Sequence, residues 1–356
     1  MGVCVYGLST KYAYSNTRVK SMEFFLIKES QMATILSSKD NSTILSTLMQ
    51  TDYSKSLSDF GGISIKQSLI DFALSKNLAE HIIILLKITP PEDKSIILSI
   101  IGRWDLHNLR LAIEAKGRNL PYEQISRYVI DYGEFNHLIL KEALKEDNLE
   151  KMFQHLSKKS PHYSKLINVA EKSYLANKNI YSAISAMDIS YYKLLEKTIA
   201  LLFDRKERAT RILRKEIDSR NILTLILAKS KNKTFNSFQE NIISRGYMDL
   251  EALRKVYDSS DSIEALSSKI TVFDLKGAAA LYKKNKRLLS FEVAMKNAIF
   301  NMSKKAITQS VLCLTSIISY VYLKEIEVST LRILIKGKEY GLTKDELSEL
   351  MIWKGA

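Results

Sequence analysis

Proline and glycine are scarce: four and twelve in 356 residues. A sheet-rich chain needs a turn roughly every 8–12 residues, so this poverty in turn formers argues against one. Asn-Gly and Asp-Gly hairpin turns, and the alternating apolar runs that flank them, are missing as well. Only two cysteines occur, Cys4 and Cys313, far apart and without ligand or redox spacing, so neither a disulfide nor a zinc site is expected. The five histidines, His81, His107, His137, His155 and His162, form no HExxH or Cys/His pattern. The nearest approach to a phosphate-binding loop, Lys336–Leu342 (KGKEYGL), lacks the closing Gly-Lys-Ser/Thr. No GxSxG elbow appears. We therefore expect no catalytic residue, no metal and no cofactor. Gly61-Gly62 reads as a turn.

Long apolar runs are equally rare. Met1–Lys20 has no basic stretch leading into an apolar one, so no leader is expected. Ala306–Leu323 carries no charge, but Thr308, Gln309, Ser310, Thr315, Ser316 and Ser319 make it a buried helix rather than a membrane span.

What is present is a folded, charged, helical chain. Hydrophobic residues make up 46% and charged residues 26%, a balance that supports a sizeable core. The formal charge of +14 points to an acidic partner: nucleic acid, anionic lipid or an acidic protein. Apolar residues recur at three and four, as in Leu194, Leu195, Ile199 and Leu202, the period of a helix with one buried stripe. Breaks fall at Thr89-Pro90-Pro91-Glu92, Gly117–Pro121, Ser160-Pro161, Ser230–Thr234 and Gly337–Gly341. Pro121 and Pro161 are expected at helix starts.

One pattern occurs three times: WDLHNLRLAIEAKG (Trp104–Gly117), IDSRNILTLILAKS (Ile217–Ser230) and IEVSTLRILIKGKE (Ile326–Glu339). Asp105, Asp218 and Glu327 align, 113 and 109 residues apart. Three residues on stand Asn108, Asn221 and Thr330; eleven on stand Lys116, Lys229 and Lys338. Eleven helical steps return to nearly the same face, about 16 Å along the axis. Acid and lysine thus share a face but cannot pair with each other, so each needs a partner on a neighbouring element. The trios Leu109/Ala112/Ile113, Ile222/Leu225/Ile226 and Leu331/Leu334/Ile335 form the adjacent core stripe. The period is too long for short solenoid repeats. It predicts an all-α fold of three similar domains, 1–120, 121–233 and 234–356, which could pack about a pseudo-three-fold axis. A basic stretch, Asp204–Lys215, precedes the second copy and places Arg208, Arg211 and Lys215 on one helical face with Arg205 alongside, a candidate docking surface.

These segments resemble the C subunit of the archaeal and bacterial A/V-type ATP synthases, the counterpart of the d subunit in the eukaryotic vacuolar enzyme. Asn16–Met22 (NTRVKSM) is similar to that family's opening run, Asp188–Leu195 and Lys215–Lys229 to its middle signature, and Thr330–Met351 to its C-terminal one. The third copy departs from the family at Ser329 and Thr330, and the opening run departs at Asn16-Thr17. The resemblance implies three helical domains closed as a funnel. It implies a non-catalytic rotor component, peripheral on the cytoplasmic face of the membrane and without a transmembrane segment. Its partners would be the proteolipid ring and the D and F subunits of the central stalk, with the membrane surface approached only indirectly. Nucleic acid is not expected. A basic helical-repeat nucleic-acid binder is the competing reading that charge and 18 tyrosines permit.

Overall fold

The computed structural model describes residues 10–38, 40–58, 67–205, 207–310 and 312–353. The Gly61-Gly62 turn expected from the sequence lies outside them. Among the described residues the regular elements are all helical. The chain groups into two compact units, Leu45–Leu195, and Met1–Ile44 with Glu196–Ala356.

The repeated motif lies near the middle or end of three long helices, Lys94–Gly117, Ala209–Ser230 and Leu314–Glu339. A second long helix precedes each: Gln67–Ile88, Ile180–Asp204 and Leu289–Gln309. The three trios of the core stripe are all buried, as the three-and-four spacing predicts.

The motif helices stop in the same way. Asn119, Asn232 and Gly341 each take a positive φ, of 54°, 48° and 71°. The next amide then folds back on the helix: Leu120 N to Ala115 O at 2.8 Å, Lys233 N to Ala228 O at 3.0 Å, and Leu342 N to Gly337 O at 2.9 Å. Asparagine and glycine tolerate that left-handed conformation, and the back-bond satisfies a carbonyl the helix end leaves open.

Some breaks fall elsewhere than expected. Pro121 caps the short helix Tyr122–Ile125, but Pro161 lies in the turn ahead of Ser164–Asn177 rather than at its first residue. Gly337 is helical. A Cβ there would come within 2.2 Å of Leu347 Cδ2, so this glycine admits a neighbouring helix instead of making a turn. The uncharged stretch 306–323 is not one helix: the first ends at Gln309 and the next starts at Leu314. No helix among the described residues is long and apolar enough to cross a membrane.

Candidate functional site

The acid of each motif helix is buried and captures backbone amides that lead into a short facing helix. Asp105 accepts from Phe135 N at 3.1 Å and from the Tyr163 hydroxyl at 3.0 Å. Asp218 accepts from Tyr247 N at 2.9 Å and Met248 N at 3.1 Å. Glu327 accepts from Ile27 N at 2.6 Å. In every case a short helix starts two residues beyond the last captured amide: His137–Ala143, Leu250–Asp258 and Glu29–Ser37.

The lysine eleven residues on holds the far end of that same short helix. Lys116 Nζ donates to Leu144 O at 3.1 Å and to Glu146 O. Lys229 Nζ donates to Tyr257 O at 3.0 Å and lies 3.7 Å from the centre of the Tyr257 ring. Lys338 Nζ donates to Leu36 O at 3.0 Å and to Ser38 O. A carboxylate therefore faces the positive end of the facing helix and an ammonium its negative end. The eleven-residue interval has a physical reason: about 16 Å along the motif helix matches the facing helix with its flanks.

Between them, the amide position fixes the intervening loop. Asn108 Nδ2 donates to Ile130 O at 2.8 Å and Phe135 O at 2.9 Å, and its Oδ1 accepts from Ile130 N at 3.0 Å. Asn221 clasps Ile243 in the same two-way fashion, at 2.8 and 2.9 Å. Thr330 donates to Ile352 O at 3.2 Å and to Ile326 O at 2.8 Å; a hydroxyl cannot reproduce the full amide clasp.

The surroundings of the acid differ among the copies. Asp105 has only neutral donors on its carboxylate, and burial pushes its pKa up to about 6. Burial also raises Asp218, against the backbone bonds and the nearby charges of Lys215 and Arg214. Glu327 instead forms a buried ion pair with Lys324 at 2.7 Å, the two side chains being 0% and 1% exposed. The position three before the acid thus carries Gly102, Lys215 and Lys324 in turn. Gly102 is required because a Cβ would meet the Tyr163 hydroxyl at 2.8 Å.

The third copy is completed from the other end of the chain. Ile27 and Leu36 stand where Phe135 and Leu144 stand in the first copy. Asn16, one of the departures in the opening run, is part of the same seam: its Nδ2 donates to Cys313 O at 3.1 Å and its Oδ1 accepts from the Ser316 hydroxyl at 3.0 Å.

The basic stretch is divided: Arg208, Arg211 and Lys215 keep their three-and-four spacing on one helix, and Arg205 follows the helix before it. The first helix ends at Asp204 and the next begins at Ala209, with Arg208 as its cap. Arg205 and Arg211 are exposed, and Arg208 reaches Gln309 O at 3.4 Å. Lys215 is half-buried, lies 4.4 Å from the centre of the Phe273 ring, and has its pKa lowered by burial. The histidines are spread through packing contacts, such as His107 Nε2 with Tyr128 O at 3.1 Å. Among the described residues no group of three or more His, Cys, Asp or Glu side chains could hold a metal.

Reading the motif helix alone misses Gly133 and Gly246. A Cβ on either would come within 2.2 and 2.3 Å of the Asp105 and Asp218 carboxylates, so both must be glycine for the loop to close over the acid. The spacing carried a signal: Gly133, Gly246 and Gly355 each follow their acid by 28 residues. Gly355 lies outside the described residues. Ile130, Ile243 and Ile352 likewise follow the amide position by 22.

Comparison with known proteins places this geometry. The family model described as ATP synthase (C/AC39) subunit matches residues 15–350. The A-type ATP synthase C subunit of Methanosphaera stadtmanae is 24% identical over 96% of this chain and 88% of its own length. That of Methanocaldococcus jannaschii is 24% identical over 96% and 86%. That of Thermoplasma volcanium is 21% identical over 97% and 99%. With the match running through all three motif helices, the chain belongs to the ATP synthase (C/AC39) subunit family.

Proposed function

We propose that this chain is a non-catalytic central-stalk component of an A/V-type ATP synthase, coupling the membrane proteolipid ring to the shaft. The observation that carries the reading is the threefold clamp: acid, amide or hydroxyl, and lysine on one helix holding a loop and both ends of a facing helix. Such modules resist shear, because closely packed helices pinned by buried polar bonds have no low-cost rearrangement. A torque-bearing part needs that stiffness and no reactive centre. In this reading the three domains, 1–120, 121–233 and 234–356, close about a pseudo-three-fold axis as a funnel. Residues 10–38 would complete the third. The wide face sits on the proteolipid ring at the cytoplasmic side of the membrane, and the opposite side receives the D and F subunits of the central stalk.

Arg205, Arg208 and Arg211 are the docking cations we assign to acidic groups of ring or stalk. Lys215 joins them only as a supporting charge, since it is packed against Phe273 and Tyr247. The test is co-purification: the tagged chain should retain proteolipid and stalk proteins in moderate salt, and Arg205→Glu with Arg211→Glu should weaken that retention without unfolding the chain. Salt-sensitive binding to RNA or DNA, with no ring or stalk protein retained, would replace the stalk reading by the nucleic-acid one.

A further inference from the structure

A groove of about 680 Å³ opens along the seam between the N-terminal segment and the helix Leu289–Gln309. That volume falls within the roughly 300–1,000 Å³ of small-molecule sites. Its walls are apolar: Leu26, Phe300, Leu323 and Trp353, with Trp353 stacked 4.8 Å from the Phe300 ring. At its lip Phe24 is 80% exposed and Phe25 beside it 54%. An exposed phenylalanine on an apolar groove, with a second next to it in sequence, marks a surface with something to bind.

The chemistry of the mouth narrows what that is. Lys20, Lys28 and Lys304 line it together with Glu23 and Glu29. Lys20 pairs with Glu23 at 3.1 Å and Lys304 with Glu29 at 3.2 Å. Exposed Lys28 leaves one positive charge in excess. The complement is a single anion attached to an aliphatic tail. A peptide would leave its backbone polar groups unsatisfied against Phe300, Leu323 and Trp353, whereas a hydrocarbon chain has none to satisfy.

We infer that this groove takes one acyl chain of an anionic phospholipid, with the headgroup at Lys20, Lys28 and Lys304 and with Phe24 and Phe25 entering the headgroup layer. Exposed aromatics beside lysines suit that layer, which offers apolar contact and negative charge together. Lipid capture goes beyond the stalk role and does not depend on it.

Trp353 is a built-in reporter. The full-length chain is mixed with vesicles of phosphatidylglycerol carrying brominated acyl chains, and with brominated phosphatidylcholine as the neutral control. Bromine quenches only a tryptophan in contact with the chains. The wild type should be quenched by the anionic vesicles and not by the neutral ones. Trp353→Phe, which keeps the buried Trp104, should show no quenching. Lys28→Glu should weaken binding about thirtyfold, as expected for reversing one cation at an anionic surface. Phe24→Ser, at an exposed position that the fold does not need, should abolish quenching. Binding to anionic vesicles without quenching would overturn the inference, since the acyl chain then stays out of the groove. So would no binding to either vesicle, equal quenching in Trp353→Phe, or displacement by polyglutamate, which would identify an acidic protein as the occupant.

Discussion

Asp105 should make the protein less stable as pH rises through the mildly acidic range. Its carboxyl is 3% exposed, and its ligands, Phe135 N and the Tyr163 hydroxyl, carry no charge. Burial therefore outweighs the hydrogen bonds and lifts its pKa from 3.8 to about 6. The folded chain then binds a proton at pH values where the unfolded chain has already lost it. Stability from this group is present in full below 3.8, falls as pH rises from there to about 6, and is flat above. At 1.36 kcal/mol per pH unit the interval amounts to about 3 kcal/mol. Asp105→Asn keeps an oxygen to accept from Phe135 N and an amide that can donate to Tyr163, and it removes the buried charge. Urea unfolding of both proteins at a series of pH values between about 4 and 8 is the assay. The variant should gain on the wild type steadily up to about pH 6 and then run parallel, up to about 3 kcal/mol more stable. Parallel profiles throughout, or a variant that loses ground as pH rises, would refute the assignment of burial as the dominant effect.

Asn221→Ala strands the buried N–H and C=O of Ile243 and should cost about 3 kcal/mol by urea unfolding; Thr330→Asn, which offers Ile352 the two-way clasp, should instead gain up to about 1 kcal/mol. Gly246→Ala puts a Cβ 2.3 Å from Asp218 Oδ1 and should lower stability by about 1–3 kcal/mol, read as a fall in melting temperature. Glu327→Gln breaks the buried ion pair with Lys324, so a loss of about 3–5 kcal/mol is expected; adding Lys324→Met should recover most of it.

The architecture was legible where it is periodic. The stripe beside Asp105, Asp218 and Glu327 announces three equivalent buried helices, and the scarcity of turn formers argues against sheets. The eleven-residue interval correctly implied separate partners for acid and lysine. The identity of those partners was not legible, because the facing helices share few residues among copies: HLILKEA, LEALRKVYD and ESQMATILS have only short length and apolar faces in common. In the basic stretch, the break that sets Arg205 apart from Arg208, Arg211 and Lys215 was not legible. The chain leaves one helix at Asp204 and enters the next at Ala209, across an interval with neither proline nor glycine. The long helices of the other two copies are likewise divided, at Pro90-Pro91 and between Gln309 and Leu314. The repeat itself, rather than the residues between Asp204 and Ala209, carried the clue.

The glutamate that replaces aspartate in the third copy becomes intelligible once its partner segment is known. Glu327 reaches an amide 300 residues away in sequence, where Asp105 reaches one 30 away. A tenfold longer closure costs about 2 kcal/mol more in chain entropy. The carboxylate–amide bond of 2.6 Å from Glu327 to Ile27 contributes on the order of 1.5–3 kcal/mol, enough to offset that cost but not to drive closure. Apolar burial drives it: Val19, Met22, Ile27, Met32 and Ile35 are all essentially inaccessible, and each is worth about 1.5–3 kcal/mol. Hydrophobic contact alone would leave the N-terminal segment free to slide by a helical turn. The Ile27 N–Glu327 bond opposes this, because a one-turn slip takes that amide away from the buried carboxylate. The buried glutamate is thus the third copy's means of choosing one register for a segment that no short loop delivers.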